Sequence, residues 1–254
     1  MKNKVAIITG GGSGIGKAIA LRFAASGAIV HILDQKPDAA EATATTITCD
    51  GGNAIAHTCD VSDQGQVVAT IDRINRMQPI DILVNNAGIG LVGSIENTTE
   101  EDFDRLFRIN VKGVYNGMYA TVPHMKAHGG GVILNMASIV ASVGIPGRFA
   151  YSMTKGAVLT MTFSVATDYL TCNIRCNCIS PARIHTPFVD DYLKKNYPGN
   201  EEAMFDKLAK TQPIGRMGTP VEVANLAHYL CSEQAAFITG CDFPIDGGFT
   251  KLRP

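Results

Sequence analysis

Tyr151 and Lys155 stand four residues apart in the run Tyr151-Ser152-Met153-Thr154-Lys155. That spacing puts both side chains on one face of a helix. A free tyrosine titrates near pH 10 (about 10), too high for proton exchange at neutral pH. A neighbouring ammonium favours the phenolate and lowers that value. The pair could then take a proton from a hydroxyl or return one to a carbonyl oxygen. Ser138 lies 13 residues upstream, at the end of an apolar run. There it could hydrogen-bond the same oxygen and stabilise charge on it. A Tyr-x-x-x-Lys pair alone is ordinary helix surface, so a second signal has to support it.

That signal is Thr9-Gly10-Gly11-Gly12-Ser13-Gly14-Ile15-Gly16, between an apolar run and a helical pattern. Glycine allows positive φ in a tight turn. It also lets a diphosphate approach backbone N–H groups at a helix N-terminus. Gly10, Ser13, Gly14, Ile15 and Gly16 are therefore the expected dinucleotide contacts. Asp34 follows Gly16 by 18 residues, at the end of the next apolar run. An acidic side chain there accepts from the adenosine ribose hydroxyls. It also repels a 2′-phosphate, which favours NAD over NADP. No arginine occupies Ser13, Gln35 or Lys36, although Lys36 is itself basic.

These residues need a scaffold that brings them together. Apolar runs at 4–9, 29–33, 54–58, 81–84, 131–136, 173–179 and 243–245 read as strands. Segments of helical period at 15–26, 38–51, 62–77, 150–169 and 220–231 read as helices, and 100–128 as two more. The 38–51 segment is rich in threonine, which argues for a short or irregular helix. Ser62 is the candidate N-cap of the following one. Such alternation predicts an α/β fold, a doubly wound parallel sheet of about seven strands with helices on both faces. No low-complexity linker or internal repeat divides the chain, so 1–254 reads as one domain with a substrate flap at about 186–211.

Composition fits this. The 254 residues are 46% hydrophobic and 18% charged, against about 25% charged on average. Disorder is excluded as the main state. A net charge of −1 offers no global field for nucleic acid or anionic lipid. No apolar stretch approaches the roughly 20 residues a membrane helix needs. The first apolar run is too short for a signal h-region, so the expected location is the cytoplasm. Seven cysteines without regular spacing suggest reduced thiols. Cys172, Cys176 and Cys178 read as small residues of a buried strand. No metal site is expected.

With these motifs in order, the chain resembles the short-chain dehydrogenase/reductase family along nearly its whole length. The match includes the Gly-rich turn, Asp60-Val61, Asn85-Asn86-Ala87-Gly88, Asn110, Ser138, Tyr151 with Lys155, Ser180-Pro181, Thr186 and Asp246-Gly247-Gly248. The resemblance implies an NAD-dependent oxidoreductase with Ser138, Tyr151 and Lys155 catalytic. It gives Asn110 the role of holding a water behind the lysine. It places Asp60 and Val61 at the adenine and Asn86, Ala87 and Gly88 at the ribose. Pro181, Ile184 and Thr186 border the nicotinamide. It also implies a homotetramer, with Gly156 and Ala157 allowing close helix approach. One departure is Pro181-Ala182, where the family usually has Pro-Gly.

Arg148 stands three residues before Tyr151, and Arg183, His185, Lys194 and Lys195 lie in or near the flap. A guanidinium can grip a carboxylate with two parallel bonds. The segment 174–178 followed by Thr186-Pro187 resembles the 2-keto-3-deoxy-L-fuconate and cytosolic type 2 hydroxybutyrate dehydrogenase subgroup, which also carries that arginine. The expected substrate is a small hydroxy acid or sugar acid, contacted by Ser138, Arg148, Tyr151 and Arg183. A neutral sugar or polyol is the alternative substrate. A non-catalytic dinucleotide-binding sensor or scaffold is the alternative function.

Overall fold

The computed structural model describes residues 1–252. Seven strands form one sheet: β1 (Val5–Thr9), β2 (Ile29–Asp34), β3 (Asn53–Thr58), β4 (Ile82–Asn85), β5 (Gly131–Met136), β6 (Ile174–Pro181) and β7 (Asp242–Ile245). Their order is β3-β2-β1-β4-β5-β6-β7, and every pair is parallel. The first-half helices are α1 (Gly14–Ala24), α2 (Pro37–Cys49), α3 (Gln64–Met77) and α4 (Glu100–Leu106). The rest are α5 (Gly113–Ala127), α6 (Phe149–Asp168), α7 (Pro187–Asn196), α8 (Glu201–Lys210) and α9 (Pro220–Leu230). The expected seven-stranded, doubly wound architecture is the observed one.

Alternation along β1 explains the layering. Side chains of a strand point to opposite faces in turn. Ala6 and Ile8 join a core with Ile19 and Phe23 of α1, Ala40 and Ala44 of α2 and Val223 of α9. Val5 and Ile7 join a second core with Ile71 of α3, Met118 of α5 and Val158 of α6. Both faces are covered, so β1 is buried along its whole length and reads as a continuous apolar run.

Local chemistry shifts several boundaries. α2 is regular over 13 residues despite its threonines. Thr43 and Thr46 donate their hydroxyls to the carbonyls of Ala39 and Ala42, four residues back, so these hydroxyls stay inside the helix. α3 is capped by Asp63, not Ser62: the Asp63 carboxylate accepts from Gln66 N at 3.1 Å. Residues 100–127 form one helical run in which a π-helical stretch, Phe107–Lys112, joins α4 to α5. The flap consists of α7 and α8, separated at Pro198-Gly199. All seven cysteines are free thiols. Burial pushes Cys176 and Cys231 up to about 12, so these two stay protonated and inert.

β2 and β3 also carry a buried histidine pair, His31 Nδ1 and His57 Nε2, 2.9 Å apart. Arg73 Nη2 approaches His57 Nδ1 at 3.3 Å. Guanidinium only donates, so His57 Nδ1 accepts and its Nε2–H donates to His31. Burial lowers both rings to about 4; the neighbouring His57 adds to this for His31, and Arg73 for His57. Unfolded histidine titrates near 6.5 (about 6.5). Between those values the unfolded chain binds more protons, so stability falls as pH drops from about 6.5 toward 4. The urea midpoint is expected to decline across that window. His31→Gln/His57→Gln should flatten the decline.

Candidate active site

Because every strand is parallel, all carboxyl ends lie at one edge, and the strand order reverses between β1 and β4. A crevice at such a switch point is where open α/β sheets bind ligands. Two clasps build it. Thr9 Oγ1 accepts from Asn86 N and Ala87 N, both at 3.0 Å. The Asn86 amide donates back to the carbonyls of Thr9 and Gly10, at 3.0 and 3.2 Å. The loop after β4 is thereby tied to the Gly-rich turn after β1. Thr9 escapes a sequence reading because a threonine ending a strand looks like any β-branched residue.

The turn itself is built on glycine. Gly10 and Gly14 have φ of +63° and +52°, where a side chain would be strained. A Cβ on Gly10 would lie 2.9 Å from Ala87 Cα, and one on Gly16 would collide with the Gly10 carbonyl. Ser13 is the N-cap of α1, yet its hydroxyl caps nothing. The first N–H groups of α1 thus have no side-chain acceptor at Ser13, as an anion site requires. Ile15 packs partly buried against the core. Thr186 stands over the turn, its Cγ2 3.5 Å from where a Gly14 Cβ would be.

Asp34 ends β2 beside this turn. Its Oδ2 accepts from Gly12 N and its Oδ1 from Lys36 N, both at 3.0 Å. The carboxylate is oriented before any ligand arrives, and each oxygen keeps a lone pair free for a ribose hydroxyl. Asp60 lies after β3, its carboxylate accepting from Ser62 N at 2.9 Å. Val61 is buried beside Gly113, and its carbonyl accepts from Asn116 Nδ2. Ile184 is buried in the core beside Gly218, so only its backbone can face the crevice. The residues fit a dinucleotide: a glycine turn, a helix N-terminus without a side-chain cap and the Asp34 carboxylate lie side by side.

Ser138, Tyr151 and Lys155 converge further along the edge. Ser138 follows β5 and Tyr151 is in the first turn of α6. Ser138 hydrogen-bonds the Tyr151 hydroxyl. It also reaches the Pro181 carbonyl at 3.3 Å, so the loops after β5 and β6 meet there. Lys155 Nζ donates to the Met136 carbonyl at 2.7 Å and sits 5.8 Å from the Tyr151 ring centroid. Burial pushes Tyr151 up, while the Ser138 bond and the Arg148 charge pull it back. Burial lowers Lys155 to about 8. Arg148 thus adds a positive charge that draws Tyr151 down, alongside the Lys155 side chain that the spacing places by its ring.

Asn110 lies in the π-helical stretch and is fully buried. Single π-turns recur at functional sites because they re-aim one side chain. Asn110 Oδ1 accepts from Ile89 N, and its Nδ2 donates to the Ile89 carbonyl, both at 2.8 Å. Nδ2 also reaches Thr154 Oγ1 at 3.1 Å, which in turn donates to the Tyr151 carbonyl. This side chain braces the loop after β4 against α6. A Cβ on Gly88 would lie 3.2 Å from Asn110 Oδ1 and 3.6 Å from Lys155 Nζ. Gly88, Asn110 and Lys155 thus share one wall.

The basic residues divide. Gly93 and Arg148 form a parallel bridge, and Arg148 Nη1 donates to the Leu91 carbonyl at 3.3 Å. Arg148 acts electrostatically on Tyr151, Arg183 and Tyr192. Burial lowers Arg183, and the Arg148 charge lowers it further. Among the described residues, neither arginine has a carboxylate within ion-pair distance. His185 instead pairs with Asp190 at 2.9 Å. Lys194 and Lys195 are exposed. Phe188 of α7 lies against Gly90, where a Cβ would come within 2.6 Å of its ring. The flap therefore rests on the loop after β4.

A family model described as enoyl-(acyl carrier protein) reductase matches residues 10–250. The 2-(R)-hydroxypropyl-CoM dehydrogenase of Xanthobacter autotrophicus is 38% identical over 255 residues, 98% of this chain and 100% of the relative. The chain belongs to the short-chain dehydrogenase/reductase family. It is also 36% identical to 2-keto-3-deoxy-L-fuconate dehydrogenase of Xanthomonas campestris, covering 99% of this chain and 81% of that one. Among solved structures, the L-sorbose reductase of Gluconobacter frateurii, complexed with NADPH and L-sorbose, superposes with a TM-score of 0.94 at 32% identity, covering 99% and 98% of the two chains. The 3-ketoacyl-(acyl-carrier-protein) reductase of Brucella melitensis, complexed with NADH, gives 0.89 at 36% identity over 98% and 99%. This family member is an oxidoreductase whose solved relatives hold nicotinamide dinucleotides of both kinds.

Proposed function

We propose that this oxidoreductase interconverts a secondary alcohol and a ketone with NAD, and that its substrate carries a carboxylate. One observation carries the reading: Arg148, whose charge acts on Tyr151, and Arg183, whose charge neighbours that of Arg148, have no carboxylate within ion-pair distance among the described residues. Buried or half-buried cations without counter-ions are costly unless an anion completes them. A relative named for the sugar acid 2-keto-3-deoxy-L-fuconate supports the same class.

A bound nicotinamide supplies the hydride acceptor in oxidation and the donor in reduction. The rest falls to the chain. Gly10, Ser13, Gly14, Ile15 and Gly16 hold the diphosphate. Asp34 takes the ribose hydroxyls, and its charge disfavours a 2′-phosphate. Asp60, Val61, Asn86, Ala87 and Gly88 line the nucleoside. Pro181, Ile184 and Thr186 close the nicotinamide end, and Lys155 lies at the same end beneath Tyr151. In oxidation, Tyr151 takes the proton from the substrate hydroxyl oxygen, and Ser138 donates a hydrogen bond to that oxygen. In reduction, Tyr151 returns the proton to the carbonyl oxygen. Asn110 holds the helix turn that lets a water stand behind Lys155. Arg148 and Arg183 grip the carboxylate.

The same reading takes the chain as one domain, with the flap over the substrate, working as a cytoplasmic homotetramer. Exposed Tyr115, Tyr119, Phe149 and Phe163 on α5 and α6 support an assembly face. Gly156 supports it too: a Cβ there would meet nothing within 4 Å. A partner helix can approach closely at such a point. The sensor alternative would leave this proton-handling pair without a use.

Three measurements test the reading. Tyr151→Phe is expected to lower kcat for oxidation by roughly 100- to 10,000-fold. Wild-type oxidation should rise with pH as Tyr151 loses its proton, and that rise should vanish in the variant. Arg148→Ala should cut kcat/KM at least about tenfold more for an acid than for its neutral analogue, as the loss of a charged hydrogen bond implies. Equal losses on both would argue for the neutral sugar or polyol. Asp34→Ser should shift the NAD-to-NADP ratio of kcat/KM toward NADP by more than about tenfold, again by loss of charged hydrogen bonds.

A further inference from the structure

The flap helix α7 meets the loop after β4 through Phe188, which lies against Gly90. Tyr192 follows four residues on in the same helix, so the two rings share a face. The same loop holds Arg148: its Nη1 donates to the Leu91 carbonyl at 3.3 Å, and Gly93 forms the bridge beside it. Tyr192 meets the arginines there. The charges of Arg148 and Arg183 both act on it, and that of Arg148 acts in turn on Tyr151. Tyr197, just beyond α7, stands edge-on to Tyr192 with ring centroids 6.0 Å apart, and the two hydroxyls are hydrogen-bonded. Tyr192 is half-buried, so it keeps surface that a ligand can touch.

Donors and acceptors do not balance in this cluster. A guanidinium only donates, through five N–H groups. Among the described residues, the Arg148 side chain spends one bond on Leu91, and that of Arg183 one on Thr211 Oγ1 at 3.1 Å. Neither has a carboxylate within ion-pair distance among those residues, and the Arg148 charge lowers Arg183. Burial and the Tyr197 bond push Tyr192 up by more than the two arginines pull it down, so the phenol keeps its proton at neutral pH. A phenol carries one proton and two lone pairs. Its oxygen can accept from Tyr197 while its own proton is donated elsewhere. Neither guanidinium offers that proton an acceptor. An anion seated between the arginines accepts from all three side chains.

We infer that Tyr192 is a specificity-determining residue: with the flap resting on Gly90, its hydroxyl donates a third hydrogen bond to the carboxylate held by Arg148 and Arg183. This rests on the anionic-substrate reading above and deepens it. Tyr197 is a positioning residue that donates to the Tyr192 oxygen and so turns the Tyr192 proton toward the anion. A hydrogen bond to an ionised acceptor is roughly twice as strong as one between neutral groups. The phenol therefore favours an acid over the amide of the same shape. Because α7 carries it, the flap takes part in choosing the substrate as well as in covering it.

The test compares lactate, 3-hydroxybutyrate and a set of hexonates, each with its own carboxamide, by reduction of NAD. The acid with the highest wild-type kcat/KM is used with the variants. Tyr192→Phe keeps the ring and removes the hydroxyl. It should lower kcat/KM for that acid about tenfold, the loss of one hydrogen bond to a charged group, and for the carboxamide less than about threefold, the loss of a weak neutral one. Tyr197→Phe should show a smaller loss, again larger for the acid. Phe188→Ala, which frees the flap from Gly90 without touching the anion, should weaken acid and carboxamide alike, so a loosened flap is told apart from a lost hydrogen bond. A Tyr192→Phe variant that loses equally on both, or on neither, overturns the assignment, while the anionic reading stands if Arg148→Ala still falls harder on the acid. Equal losses in Arg148→Ala, or a wild type that prefers no acid to its carboxamide, overturn the anionic reading and this inference with it.

Discussion

Four hydrogen bonds join Thr9 and Gly10 to Asn86 and Ala87 across the gap where the strand order reverses. The rest of the site hangs on that joint. It fixes the Gly-rich turn against the loop after β4, and that loop carries Gly88, Ile89, Gly90 and Leu91 toward α6 and the flap. Asn110 then seizes Ile89 by both backbone groups, and the Arg148 loop pairs with Gly93. The turn after β1, the π-helical stretch, the entry to α6 and α7 thus converge on one loop. A change at the joint should be felt at each of them, because closely packed, fully paired backbone has few alternative positions.

The electrostatics follow from where burial is placed. Lys155 is deep enough to be lowered to about 8, since burial disfavours the charged form. Tyr151 is raised for the same reason, and only Ser138 and Arg148 oppose it. The arginine thus serves two purposes at once: it favours the phenolate and offers a charge to an anion. A chain of net charge −1 can hold such a positive pocket because the partner carboxylates stand elsewhere. Asp190 takes His185, and Glu222 takes Arg216.

The Tyr151–Lys155 spacing, the glycine turn and Asp34 were legible because the chemistry proposed for them demands fixed spacing within one element or one turn. The strand pattern was legible because burial on both faces forces continuous apolar runs. Asn110 was legible only through resemblance, since nothing in Arg108-Ile109-Asn110-Val111 signals a π-helical turn. Asp63 replaced Ser62 as the cap because Ser62 N is drawn to Asp60, a competition between neighbours of equal propensity. The lysines of the flap were grouped with the arginines by nearness in sequence. On α7 they face solvent, because the buried side of that short amphipathic helix belongs to Leu193.

By itself the sequence determined the sheet, its parallel character and the shared helix face of Tyr151 and Lys155. Those depend on periodicity and on separations of a few residues, which a linear reading preserves. Tertiary structure decided that the Arg148 charge reaches Tyr151, which arginines lack a carboxylate among the described residues, and which loops are tied together. Each of these joins groups tens of residues apart: Arg183 to Thr211, Arg148 to Leu91, Thr9 to Asn86. A hydrogen bond has a short range and a direction, so only the folded chain reveals which atoms are satisfied and which still await a ligand.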